Sequence, residues 1–364
     1  MERSFNGSAS EAAERDPQSP EERRLARRLG LRRTSVDALT ISRVRCGRGF
    51  AYVDGDGNRI RDPRVTRRLA KLAVPPAYEN VLYARDPDAH LQAVGRDAAG
   101  RLQYRYHPDW QKIREWRKAQ RLLRLVETLP RIRRAMTQHL AAGEPCREHA
   151  LAAAIELVAV SAIRAGSEAY AREHGTRGAA TLLKSNVTIA DQTVLLSFRG
   201  KGGKRIAKEL HAPRLAAAIG VLSRLPGRRL FQYRDADGAV RAIRARDINA
   251  FLHSVAGARI SLKDFRTLCA TARVLDRLAQ LSPAPTERQR KRQVLDAIRE
   301  AADDLANTPA ICRKSYVHET VLDAFETGAL EKYAAALKSA RKPGRRAQLM
   351  ARVLAGAAPV RTPG

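Results

Sequence analysis

The sequence predicts an α+β protein: a small β-rich amino-terminal domain followed by a larger, mainly α-helical domain that carries a small three-stranded sheet. Three observations predict it. Between Ile41 and Tyr106, short alternating segments are punctuated by turn residues, as in Gly49-Phe50-Ala51-Tyr52-Val53 before Asp54-Gly55-Asp56-Gly57, the pattern of strands joined by tight turns. After His107-Pro108 the apolar spacing turns helical, beginning with Trp110, Ile113 and Trp116. Between Asn186 and Leu210 the period changes again, giving three short strands and two turns. The 364 residues suffice for about two domains, and 44% hydrophobic residues can fill their cores.

Taken in order, residues 1–40 read as a flexible basic extension, with Ser8, Ser10, Pro17 and Pro20 leading into the mixed charges from Glu21 to Arg33, a tail that runs into a short basic helix. Residues 41–112 form the β-rich domain; Pro75-Pro76 interrupts it, and Leu91-Gln92-Ala93-Val94 and Gln103-Tyr104-Arg105-Tyr106 supply further strands. Residues 113–338 form the helical domain. In it, Ala150 to Ile163 is apolar nearly all round and too short to span a bilayer, so it reads as a buried helix. Arg164-Ala165-Gly166 closes that helix and brings the Arg164 guanidinium out at the end of a rigid element, a position suited to holding a phosphate.

The meander runs Val187-Thr188-Ile189, Val194 to Phe198 and Ile206 to Leu210. Its second turn, Gly200-Lys201-Gly202-Gly203-Lys204, sets Lys201 between glycines that allow close approach to another backbone. An ordinary basic hairpin turn is the competing reading, and a nucleotide-type phosphate loop is disfavoured because the GxxxxGK[ST] pattern is missing. Ser261 with Asp264 approximates a capping box, which places Arg266 in the first turns of a helix. Arg288-Gln289-Arg290-Lys291-Arg292 reads as a solvated helix face. Thr308-Pro309 starts another helix, with Thr308 as cap and Pro309 where its missing N–H costs nothing. Tyr316 follows two turns later. Residues 339–364 read as a basic tail rich in Lys and Arg.

Charge narrows the partner. With 68 Lys plus Arg against 38 Asp plus Glu, the net charge is +30, which points to a polyanion bound with steep salt dependence. No apolar run approaches the roughly 20 residues of a membrane span, and the first twenty residues are polar rather than signal-like. A soluble cytoplasmic protein is expected, without membrane partners. Cys46, Cys146, Cys269 and Cys312 lack paired CxxC spacing, so free thiols are expected rather than a metal site or disulfides.

The segment Asn307 to Tyr316 places a tyrosine beside Arg313 and Lys314. A phenol with a reference pKa of about 10 is a poor nucleophile until cations favour its charged form. Taken alone, Tyr316 is a packed side chain; the order Arg164, Lys201, Arg266, Asn307, Tyr316 shifts the reading. These positions, set in Ile163-Arg164-Ala165-Gly166-Ser167-Glu168, Phe198-Arg199-Gly200-Lys201, Lys263-Asp264-Phe265-Arg266-Thr267 and Asn307 through Tyr316, together with Gly95 to Tyr106, resemble the type IB DNA topoisomerases, in particular the short bacterial and poxvirus-like branch. The resemblance runs from about Ile41 to about Leu337.

The resemblance implies a fold of the type IB topoisomerase and tyrosine recombinase kind, closed around duplex DNA by a monomer that needs no metal, ATP or other cofactor. Tyr316 would attack a phosphodiester to form a 3′-phosphotyrosyl bond, and the released strand would swivel and reseal. Arg164 and Arg266 would hold the nonbridging oxygens, Lys201 would protonate the leaving 5′ oxygen, and Asn307 would add a hydrogen bond where many relatives have histidine. Gln103, Tyr104, Tyr106, Lys263, Arg313 and Lys314 are the implied DNA contacts, although a solvent-facing strand explains the first three equally well. Leu268-Cys269 departs from the Trp-His pair common after this motif, which implies a packing change. A tyrosine recombinase and a noncatalytic basic DNA-binding protein are the alternatives; the first commonly shows HxxR where this chain has Lys263-Asp264-Phe265-Arg266, and the second leaves the ordered pentad unexplained.

Overall fold

The computed structural model describes residues 19–340 and 343–356. The expected extension before residue 19 and the end of the expected tail after residue 356 lie outside the described residues. The chain forms two compact units that divide at Arg117 and Lys118.

The first unit is built on a five-stranded antiparallel sheet in the order β2-β1-β3-β4-β5, with β1 Ile41–Cys46, β2 Gly49–Val53, β3 Glu79–Tyr83, β4 Leu91–Arg96 and β5 Leu102–Tyr106. Cross-strand partners fix which side chains share a face: Leu82, Val94 and Tyr104 lie in one row, and Tyr83, Ala93 and Arg105 in the next. Because side chains alternate along a strand, the sheet buries both faces. Ile41, Val81, Tyr83 and Ala93 pack on one side with Leu69, whereas Leu39, Leu91, Val94 and Leu102 pack together elsewhere.

Leu69 belongs to α2, Pro63–Lys71, a helix absent from the sequence reading. Asp62 caps it by accepting from the Arg64 N–H at 2.8 Å. The short basic helix expected at the end of the extension forms as α1, Pro20–Arg28. Its Glu22 is buried and accepts from Arg117 Nε at 2.7 Å, and the following Leu31 packs on Trp110 and Ile113.

The second unit is helical. Its helices are α3 Trp110–Ala141, whose first residues belong to the first unit, α4 Arg147–Ser161, α5 Glu168–His174, α6 Pro213–Ser223, α7 Ala245–Ala256, α8 Leu262–Leu278, α9 Glu287–Asp304, α10 Pro309–Tyr316, α11 Glu319–Glu326, α12 Glu331–Ser339 and α13 Pro343–Gly356. At the centre, α4 is buried from His149 to Ile155 and again at Leu157 and Val158. Full burial of one such Leu or Val side chain is worth about 1.5–3 kcal/mol, so a helix apolar on every side is stable only when neighbours surround it. Around it lie Leu125, Leu129 and Ile132 of α3, Leu215 and Ile219 of α6, and Phe265 of α8.

The meander forms as expected: β6 Val187–Ala190, β7 Thr193–Arg199 and β8 Arg205–His211 pair antiparallel in that order. A further pair, β9 Gln232–Arg234 and β10 Val240–Ala242, completes the strands among the described residues. Part of the expected basic tail is instead the packed helix α13, with Leu349, Met350, Val353 and Leu354 buried in the main core. Apolar residues at helical spacing among the arginines make this burial possible. Among the described residues no helix is long and apolar enough to cross a membrane.

Candidate active site

Arg164 is set by a loop rather than by a helix end. Helix α4 stops at Ser161 on Ala162, which takes the left-handed conformation at φ 54, earlier than the sequence suggested. The loop beyond is pinned from behind: Ala179 and Ala180 donate to the carbonyls of Arg164 and Ala165 at 2.8 Å. Gly178 must be glycine for this contact, since a Cβ there would stand 2.5 Å from the Arg164 carbonyl oxygen, far inside van der Waals contact. The half-buried Arg164 guanidinium donates to Asn307 Oδ1.

Arg266 lies one turn into α8 and is only 3% exposed. The expected capping box is present, and the Asp264 carboxylate accepts from both the Ser261 N–H and the Ser261 hydroxyl at 2.8 Å. Arg266 donates to the Ala162 carbonyl through Nη1 and to the Leu305 carbonyl at 3.3 Å through Nη2. It thereby ties the Arg164 loop to the segment that precedes Asn307. Its Nε has no partner, and neither has Asn307 Nδ2. Two buried donors without acceptors are costly in a finished core, and both belong to this cluster.

Tyr316 ends α10, whose start matches the sequence reading: Thr308 Oγ1 accepts from the Ile311 N–H at 3.3 Å and Pro309 occupies the first turn. Its carbonyl accepts from Thr271 Oγ1 of α8 at 3.0 Å, and Lys118 Nζ donates to the next carbonyl, Val317, at 3.0 Å. The Arg266 guanidinium carbon lies 4.8 Å from the Tyr316 ring centroid. Burial alone would raise the phenol, but the charge and hydrogen bond of Arg266, with the charges of Arg164 and Lys263, outweigh it and hold Tyr316 below its ordinary value. Conversely, burial and the Arg266 charge lower Arg164. Two guanidiniums crowded together in this way form a site for an anion.

Lys201 is exposed at the β7–β8 turn, where Gly202 and Gly203 both have φ 74. It lines one pocket with Arg164, Arg177, Lys208, Arg266 and Asp304. All five pentad members thus belong to one region: four are joined by direct contacts or charge, and Lys201 shares the pocket wall. Lys208 was not singled out from the sequence. Its Nζ donates to the Asp304 carbonyl at 2.7 Å, and burial, with the Arg266 charge, lowers its pKa. The only sequence signal was a lysine two residues after Ile206 on a strand already linked to Lys201.

The expected DNA contacts divide. Lys263 is exposed on the first turn of α8 and its charge reaches Tyr316. Arg313 pairs with Glu319 at 2.7 Å, while Lys314 is exposed. In the first unit, alternation puts Gln103 and Arg105 on the face opposite Tyr104 and Tyr106, so the three residues expected to share one surface do not. Gln103 donates to Asp97 at 2.9 Å, and the two tyrosines stack at 6.2 Å between centroids. Cys269 takes up the expected packing change: its thiol contacts the Ala159 carbonyl at 3.7 Å, and burial pushes it up to about 11. All four cysteines are free.

The family described as "Eukaryotic DNA topoisomerase I, catalytic core" matches residues 107–343, and "Bacterial DNA topoisomerase IB, N-terminal domain" matches residues 49–97. A curated relative, "DNA topoisomerase 1B" of Acanthamoeba polyphaga mimivirus, is 31% identical over 293 residues, which cover 79% of this chain and 87% of the relative.

Proposed function

The chain belongs to the type IB DNA topoisomerases, and on that premise we propose that Tyr316 is the nucleophile that opens one strand of duplex DNA to relax supercoils. The observation that carries this reading is the unfinished cluster around Tyr316: Arg266 held beside its ring, with the Arg266 Nε and Asn307 Nδ2 donors unused. A phosphodiester placed there would supply acceptors for both. Arg164 and Arg266 would then face its nonbridging oxygens as charge gathers on them, the kind of preorganised stabilisation in which one lost donor costs about 10²–10³ in rate.

In the cleavage step the Tyr316 oxygen bonds to phosphorus as the bond from phosphorus to the 5′ oxygen breaks. The phenolic proton leaves to solvent and the 5′ oxygen takes a proton from Lys201 Nζ, a transfer typically worth about 10²- to 10⁴-fold. The products are a 3′-phosphotyrosyl bond and a free 5′ hydroxyl. Resealing runs the same atoms backwards, and because one ester is exchanged for another the bond energy is retained through the swivel. Lys263 supports Tyr316 through its charge, and Lys314 and Arg313 would meet the DNA backbone, Arg313 by leaving Glu319. Tyr104, Tyr106 and Gln103 would contact DNA from two faces of the sheet rather than one.

Supercoiled plasmid incubated with the protein, EDTA and no ATP tests the proposal. The parent should relax it and Tyr316→Phe should not, with the trapped adduct on a 3′ phosphate. Persistent supercoiling by the parent would sink the nucleophile assignment, an adduct on a 5′ phosphate would overturn the polarity, and exchange between defined sites without relaxation would favour a recombinase.

A further inference from the structure

Outside the catalytic cluster, the first unit holds a recess of about 200 Å³ lined by Arg23, Arg27, Arg32, Arg33, His90 and Trp110. The four arginines are exposed, whereas His90 and Trp110 are each 2% exposed. No carboxylate lines it. Arg32 pairs with Asp86 at 3.4 Å while its side chain remains 74% exposed, a geometry worth little in water. Arg23 and Arg27 lie one turn apart on α1, where like charges at that spacing oppose the helix. The local field is strong enough to be felt by His90: burial, then the charges of Arg33 and Arg117, push it down to about 4. Helix α1 and the Leu31–Arg33 turn lie outside both matched ranges, so the family comparison does not account for them.

We propose that this recess binds a phosphate group of the DNA strand, as a contact separate from the phosphate that reacts. The inference rests on the reading of the chain as a DNA-acting topoisomerase. Guanidiniums on two segments can each offer paired donors to phosphate oxygens, and a bound anion would offset the repulsion between Arg23 and Arg27. A phosphate suits the site better than a base does, because Trp110 is too buried to present a ring face. The anion chemistry is shared by a DNA phosphodiester and by free polyphosphate; the high net charge of the chain favours the strand.

The test is the salt dependence of duplex binding by full-length protein, for the parent, for Arg23→Ala/Arg27→Ala, and for Arg32→Gln/Arg33→Gln, which leaves α1 untouched. Each double variant should flatten the slope of log K against log salt by about 0.9, the loss of the one phosphate contact. Arg224→Ala/Arg228→Ala, removing equal charge from an exposed turn of the other unit, should not. Parallel slopes for parent and recess variants, or equal flattening by the control, would overturn the site. A parallel slope with pyrophosphate raising Tm of the parent alone would assign a free anion and overturn the DNA assignment. A parent that binds no duplex would instead remove the topoisomerase reading beneath it.

Discussion

Both units hold arginines against backbone carbonyls, partly buried in the first and fully buried in the second, and they use them in opposite ways. In the β-rich unit, Arg43 donates to the carbonyls of Val74, Pro75 and Tyr78 at 2.9, 3.0 and 2.6 Å. Arg68 donates to Gln92 Oε1 and the Ala84 carbonyl at 2.8 Å and to the Arg85 carbonyl at 3.1 Å. Those guanidiniums brace turns and strands, and the local backbone satisfies them. In the helical unit, Arg266 is more deeply buried, sits beside a second guanidinium, and leaves Nε without an acceptor. The difference teaches that burial and charge alone do not mark a reacting site. What marks it is a buried cation whose hydrogen bonding stays incomplete.

Exchanging the two arginines by mutation gives the largest test of that contrast. Arg266→Ala should lower the single-turnover cleavage rate by about 10²–10³, with a modest effect on folding because relief of repulsion with Arg164 offsets the lost carbonyl bonds. Arg68→Ala should do the reverse, costing about 1–3 kcal/mol of stability by stranding its acceptors while cleavage per folded molecule stays near the parent's. Urea titration and cleavage of a labelled duplex measure both. Equal kinetic losses in the two variants would break the distinction.

Lys208 sharpens the comparison, because it braces a turn as Arg68 does but inside the proposed catalytic pocket. Its bond to the Asp304 carbonyl holds the end of α9 just before Asn307. Lys208→Met keeps the length of the side chain and removes the donor. Misplacement of a reacting group by about an ångström can cost about 10²-fold, so a loss of about 10- to 10²-fold in cleavage rate is expected, with duplex affinity changed far less. Lys208→Arg, which retains a donor, should recover part of the rate. An unaffected rate in Lys208→Met would show that the loop holds Asn307 without this tie.

Much of this contrast was legible beforehand, and the failures have a common cause. The meander and the buried α4 announced themselves by period, and the pentad by residue type in order. Three helices begin with the same signature of a capping side chain before proline: Ser19-Pro20, Asp62-Pro63 and Thr308-Pro309. The last is legible as a start and a short basic helix is expected after the first, whereas the second is missed. Around the others, dense arginine hid the few apolar positions, such as Leu69 and Leu31, that anchor the chain. The split of Gln103 from Tyr104 and Tyr106 follows from strand alternation and could have been read from the sequence. The unpartnered donors of Arg266 and Asn307 could not, since they depend on which carbonyls the tertiary fold brings within reach.

The smallest expected effect separates the two cationic environments by their titrations. Arginine charge lowers a group in each unit, but for Tyr316 burial opposes the cations, whereas for His90 burial and cations act together. His90 should therefore stay neutral in the fold, with its value moved from 6.5 to about 4. The unfolded chain then binds the extra proton between those limits, so stability present above pH 6.5 is lost progressively as pH falls toward 4. Other groups titrate in that range, so the informative quantity is the difference between parent and His90→Gln. The two tryptophans, Trp110 and Trp116, both lie in the first unit, so their fluorescence during urea unfolding reports on the relevant region. The parent's margin over the variant should be constant above pH 7 and shrink between pH 6.5 and 4. A margin that does not change with pH would mean that His90 accepts charge within the fold despite Arg33 and Arg117.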